Sequence, residues 1–129
     1  MEHKYYTVAD ILSLCHTNPL LQELYRYSPV GITATALIEL IHACPHLHTL
    51  QLPHTVAVTD ISILTLSEHC LELKALHINY CVEVTEVAVL QLLQRCRKLT
   101  ELVVSRSSLS KGTWAQLDKN TRKIVRRCE

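Results

Sequence analysis

At 129 residues with a net charge of +1, the chain has the size of one domain and no overall field that would draw it to nucleic acid or a membrane. Hydrophobic residues make up 48%, which supports a core and argues against disorder. Phe is absent and only two glycines occur, so the interior must be aliphatic, and folds built on glycine-rich phosphate loops or glycine hairpins are excluded.

Apolar residues at three-and-four spacing predict helices near 7–17, 33–43, 59–69 and 85–95, separated by short strands near 23–27, 49–53, 75–79 and 101–105. A last helix is expected about 110–127. Steps of 26 residues connect these elements without insertion or deletion. Leu21, Leu47, Leu73 and Leu99 share one column, and Leu24, Leu50, Leu76 and Leu102 share another. Thr7, Thr33, Thr59 and Thr85 form a third, Leu14, Leu40, Leu66 and Leu92 a fourth, and Cys44, Cys70 and Cys96 a fifth. The units run about 18–43, 44–69, 70–95 and 96–110, after a partial unit at 7–17, within a single domain covering residues 1–129.

Each unit begins with an extended half, as in Leu73-x-x-Leu76-x-Ile78, where alternate residues point one way. The helical half follows, with Thr59 suited to cap its first turn through a hydroxyl that accepts an amide. A strand–helix unit this small cannot bury its own apolar face, but stacking does so. The expected fold is therefore α/β: a repeat solenoid bent into a short horseshoe arc, with parallel strands on the concave side and helices on the convex side.

The run Cys70-x-x-Leu73-x-x-Leu76-x-Ile78-Asn79-Tyr80-Cys81-x-x-Val84-Thr85 resembles the cysteine-containing leucine-rich repeat of F-box/leucine-rich-repeat proteins and of the antagonist-of-mitotic-exit-network family. The resemblance covers about residues 7–110. It implies a leucine-rich-repeat solenoid that binds other proteins. It also implies, as an alternative, the substrate-recognition part of an SCF-type ubiquitin-ligase adaptor.

No catalytic constellation is visible. Ser105, Ser107, Ser108 and Ser110 lack a nearby histidine or nucleophile elbow. His42-x-Cys44-x-His46-x-His48 holds metal-ligand residue types, but no second cluster completes a tetrahedral site, and the cysteine column recurs a whole unit apart rather than at ligand spacing. Buried small hydrophobes account for the cysteines and solvated positions for the histidines. No metal, cofactor or catalysis is expected; a metal protein or enzyme is the remaining alternative. Nothing at the start has the basic-then-apolar pattern of a leader, and no apolar run approaches the ~20 residues of a membrane span, so an intracellular, soluble protein with reduced thiols is expected.

The inner strand face is the expected contact surface, because the residues between the buried leucines point away from the core. Its candidates are Tyr25, Tyr27, Gln51, Pro53, His77, Asn79, Val103 and Ser105, with Tyr80 nearby. Two further expectations concern the ends. Residues 106–129 hold seven Lys/Arg against two Asp/Glu, and fit a capping helix with Trp114, Leu117, Ile124, Val125 and Cys128 on one face. At the other end, Val8, Ile11, Leu12 and Leu14 match columns that are interior in later units. An apolar N-terminal edge, covered by a neighbouring domain, a protein partner or self-association, is expected there.

Overall fold

The computed structural model describes residues 8–17, 23–24, 32–52 and 54–128. Helices and strands alternate along the chain: α1 (Val8–Thr17), β1 (Glu23–Leu24), α2 (Ala34–Ala43), β2 (Thr49–Gln51), α3 (Asp60–His69), β3 (Ala75–His77), α4 (Glu86–Arg95) and β4 (Glu101–Ser105). Then follow α5 (Lys111–Gln116), α6 (Lys119–Ile124) and β5 (Val125–Cys128). The fold is α/β. The strands form one parallel sheet in sequence order, β1-β2-β3-β4-β5.

The spacing seen in the sequence is the register of the sheet. Glu23 pairs with Thr49, Leu50 with Leu76, and Leu76 with Leu102, each 26 residues on. Leu50, Leu76 and Leu102 are fully buried, as are Leu47 and Leu73 at the strand approaches. They meet Leu37, Leu40 and Ile41 of α2, Ile63 and Leu66 of α3, and Ala88, Val89 and Leu92 of α4 in one apolar cluster between sheet and helices.

Helix boundaries follow from side-chain capping, though with a different donor set at each turn. Thr33 has extended backbone geometry, and its hydroxyl accepts the Ala36 amide at 3.1 Å. At Thr59 the direction reverses, and Ser62 Oγ accepts the Thr59 amide at 2.9 Å. Thr85 instead donates its amide and hydroxyl to Asp60 of the preceding helix, at 2.7 and 2.5 Å. Glu86 repeats the pattern one unit later, accepting the Ser110 amide at 2.6 Å and the Thr113 hydroxyl at 3.1 Å. A carboxylate in the first turn of one helix therefore caps the start of the next. Hydrogen bonds from Ser110 and Thr113 hold the Glu86 carboxyl below the usual range, so this cap is charged at neutral pH.

The C-terminal segment departs from the expected single helix about 110–127. Leu117 takes extended geometry and ends α5, and Asp118 restarts the chain as the cap of α6. The Asp118 carboxylate accepts the Thr121 amide at 2.9 Å and its hydroxyl at 2.8 Å. Asp competes well for such caps and poorly for helix interiors, which explains the break. The last four described residues then satisfy the outer edge of β4: Leu102 pairs with Val125 and Ser105 with Cys128, and the Arg106 amide donates to Cys128 O at 2.8 Å. This offset is 23 residues, three short of the others, so a search at the regular period passes over β5. The basic residues are redistributed accordingly: Lys119 opens α6, Arg122 and Lys123 lie in its last turn, and Arg126 and Arg127 lie on β5.

At the other end Leu14 of α1 is exposed; the side chains of Val8, Ile11 and Leu12, which the expected apolar edge also invokes, lie outside the described residues. Among the described residues, no helix is long and apolar enough to cross a membrane.

This register makes Leu76 and Gln51 opposite in kind although they belong to adjacent strands. Leu76→Ala should destabilise by about 2–5 kcal/mol. Gln51→Ala, on the open face, should stay within about 0.5 kcal/mol of the parent. Urea melts of the two variants check the strand phase.

Candidate interaction surface

The sheet face turned away from the core is built by the residues between the buried leucines. Equivalent positions on paired parallel strands point the same way, so Thr49, Ala75 and Glu101 form one row, and Gln51, His77, Val103 and Arg126 form the next. Thr49, Gln51, Ala75 and His77 are half-buried, while Glu101 and Arg126 are exposed. His77 Nε2 is buried and lies 3.2 Å from Glu101 Oε2, without the geometry of a hydrogen bond.

Not all of the sequence-predicted contact residues are available on this face. Tyr25, Tyr27 and Pro53 lie outside the described residues. Gln51 and His77 are neighbours in the same row, and Asn79 stands half-buried beyond the end of β3. Val103 and Ser105 are buried, at 2% and 4% exposure, so neither is available as an exposed contact residue, although Val103 lies in the open-face row. The cause is β5, which the repeat period does not foresee. It turns β4 from an edge strand into an inner one, setting Val103 between His77 and Arg126. Ser105, beside Cys128, also accepts the Tyr80 amide on its hydroxyl.

Tyr80 leaves the strand line altogether. Its φ is +63°, and His54, the equivalent residue one unit earlier, has a φ of +60°. A side chain in this left-handed region costs roughly 1–2 kcal/mol, which is why glycine or asparagine usually occupies it. The two rings stack at 4.3 Å with planes 18° apart, a contact worth about 0.5–1.5 kcal/mol beyond its burial. Tyr80 stays 42% exposed, so the stacked pair stands at the end of the strands as an open aromatic step.

The histidines and cysteines serve the stack. His42 packs against His69 at 4.3 Å, and His46 Nδ1 sits 2.7 Å from Glu72 Oε2, which draws the Glu72 carboxyl below its usual range. The His42–His48 run is thus divided among different partners. No three metal-capable side chains converge among the described residues. Cys70 Sγ points at Cys44 O, 3.5 Å away, and Cys96 Sγ at Cys70 O, 3.9 Å away. Cys81 Sγ donates to Leu52 O at 3.1 Å, a second bridge between the same units. A thiol is small enough for the column and still supplies a weak donor to the neighbouring unit's carbonyl, which an alanine would not.

No family model and no curated protein matches the chain. Its reading therefore rests on its own geometry. Sequence reasoning missed Arg126, because β5 breaks the period. It also missed His54, Val56 and Val82, although the unit spacing carries His54 onto Tyr80 and Val56 onto Val82.

Burial pushes the Cys70 thiol up to about 12 and Cys96 to about 11, and raises Cys81 as well. Thiolate is the reactive form, so these residues should resist alkylation at pH 8 in the folded protein. Half-exposed Cys128 should react first among the described cysteines. Peptide mapping of iodoacetamide adducts before and after unfolding checks this. Rapid modification of Cys70 in the native state would mean that the column is open.

Proposed function

We propose that the chain is a leucine-rich-repeat solenoid of the cysteine-containing kind, and that it is a non-catalytic module that binds another protein through its open sheet face. One observation carries the reading: among the described residues the buried leucines and cysteines join successive units, which leaves Gln51, His77 and Arg126 in one row on the other sheet face, the first two half-buried and the third exposed. That row mixes an amide, an imidazole and a guanidinium beside the Glu101 carboxylate. These groups can pair with the backbone and polar side chains of a partner segment crossing the strands. The buried thiols and the separately engaged histidines are structural in this reading.

A photo-crosslinking residue placed at Gln51 should trap a defined protein from an extract of the native cell, and the same probe at exposed Glu68 on α3 should not trap that protein. His77→Ala combined with Arg126→Ala should reduce capture at Gln51 at least tenfold. Equal capture from Gln51 and Glu68, or no dependence on His77 and Arg126, would remove the sheet face from the account.

A further inference from the structure

The exposed apolar side chains are not scattered. Among the described residues, all of the large ones except Leu14 and Leu71 fall in two consecutive strand-to-helix loops and the helix starts that follow. Val56 matches Val82, and Ile61 matches Val87, each pair one unit apart and each residue at least 67% exposed. Tyr80 on its His54 partner completes the set. The two loops are laid side by side by a parallel bridge between Thr59 and Glu83 and by the Asp60–Thr85 hydrogen bonds. Equivalent side chains are therefore neighbours, and the residues make an apolar ridge crossing two units along one edge of the fold. A soluble surface rarely groups its apolar residues in this way without a use for them.

The charge of this edge is one-sided. Residues 54–61 and 80–87 contain Asp60, Glu83 and Glu86 and not one Lys or Arg. Asp60 and Glu86 are held in place as lateral caps, and Glu83 is exposed in the bridge that joins the loops. The aromatic step is fixed in the left-handed region by the His54 amide donating to Asn79 O at 2.9 Å and the Tyr80 amide to Ser105. The surface is thus formed before any partner arrives.

We infer that the edge made by His54, Val56, Tyr80, Val82 and Glu83 is a second docking surface, whose occupant is a protein segment carrying aliphatic residues interleaved with Lys or Arg. The aliphatic groups cover Val56 and Val82, a cationic or planar group lies against the His54–Tyr80 step, and the lysines or arginines face Glu83 and the capping carboxylates. The inference does not depend on use of the open sheet face.

Selection from a phage library of random twelve-residue peptides on the immobilised 129-residue chain tests it. Enriched peptides should combine aliphatic residues with Lys or Arg. Their affinity should fall at least tenfold with Val82→Asp and with Glu83→Lys, and should be unchanged in the His77→Ala and Arg126→Ala variants. Val82 and Glu83 are exposed, so both edge variants should melt at the parent temperature, which separates lost binding from lost structure. Enrichment of neutral or acidic peptides, loss of binding with the sheet-face variants instead, or no enrichment over a blank support would overturn the inference. So would light scattering that shows the edge buried in a dimer of this chain and freed by Val82→Asp.

Discussion

Everything in this fold depends on each strand–helix unit finding its missing half in the next. A strand of three residues with one inward leucine excludes no water by itself. Placed in register, Leu50, Leu76 and Leu102 exclude it for one another, and the helices close the cluster from the other side. The same sideways dependence is written into the polar groups. Thiols donate to the previous unit's carbonyls, Asp60 and Glu86 cap the helix that follows, and the Leu52 and Ile78 amides reach His77 O and Val103 O on the next strand at 2.8 and 2.9 Å. Burial supplies the driving force, and these bonds fix the phase. A slip of one residue would turn every leucine to solvent and break the caps together.

Ending such a stack is a separate problem, since the last strand presents unpaired amides and carbonyls. Here the chain solves it by shortening its final step. α5 and α6 bury no residue completely, but Trp114, Leu117 and Ile124 lean on the core while β5 seals β4. The Arg122 guanidinium stands over the Trp114 ring at 5.7 Å. Among the described residues β5 is then the outer strand, and Arg126 and Arg127 give it charge of the kind that discourages further pairing. Arg127 is additionally tied down, its Nε donating to Leu109 O at 2.7 Å.

The regular part of this architecture was legible because the sequence repeats it. The helices predicted near 33–43, 59–69 and 85–95 are observed as Ala34–Ala43, Asp60–His69 and Glu86–Arg95. One columnar signal, reinforced four times, outweighs local propensity. What escaped was what the period does not govern. β5 arrives three residues early, and burial of Val103 and Ser105 follows from it, so a reading that treats β4 as the last strand must leave both exposed. The break at Asp118 had a local cue, a cap residue three before Thr121, that an amphipathic pattern from Trp114 to Cys128 concealed. The outward turn of Tyr80 depends on a positive φ that no residue type at that position announces.

Two surfaces remain once the stack has used its leucines and cysteines: the open sheet face and the apolar, acidic edge beside it. Both are shaped by unit-to-unit register, so both stand or fall with it. That register is most directly tested by inserting a second copy of residues 59–84, one full 26-residue step, between Val84 and Thr85. If each unit is completed by its neighbour, the longer chain gains one more interface. It should then unfold cooperatively, with a urea midpoint at or above that of the parent. A lower midpoint, or loss of the cooperative transition, would contradict the account.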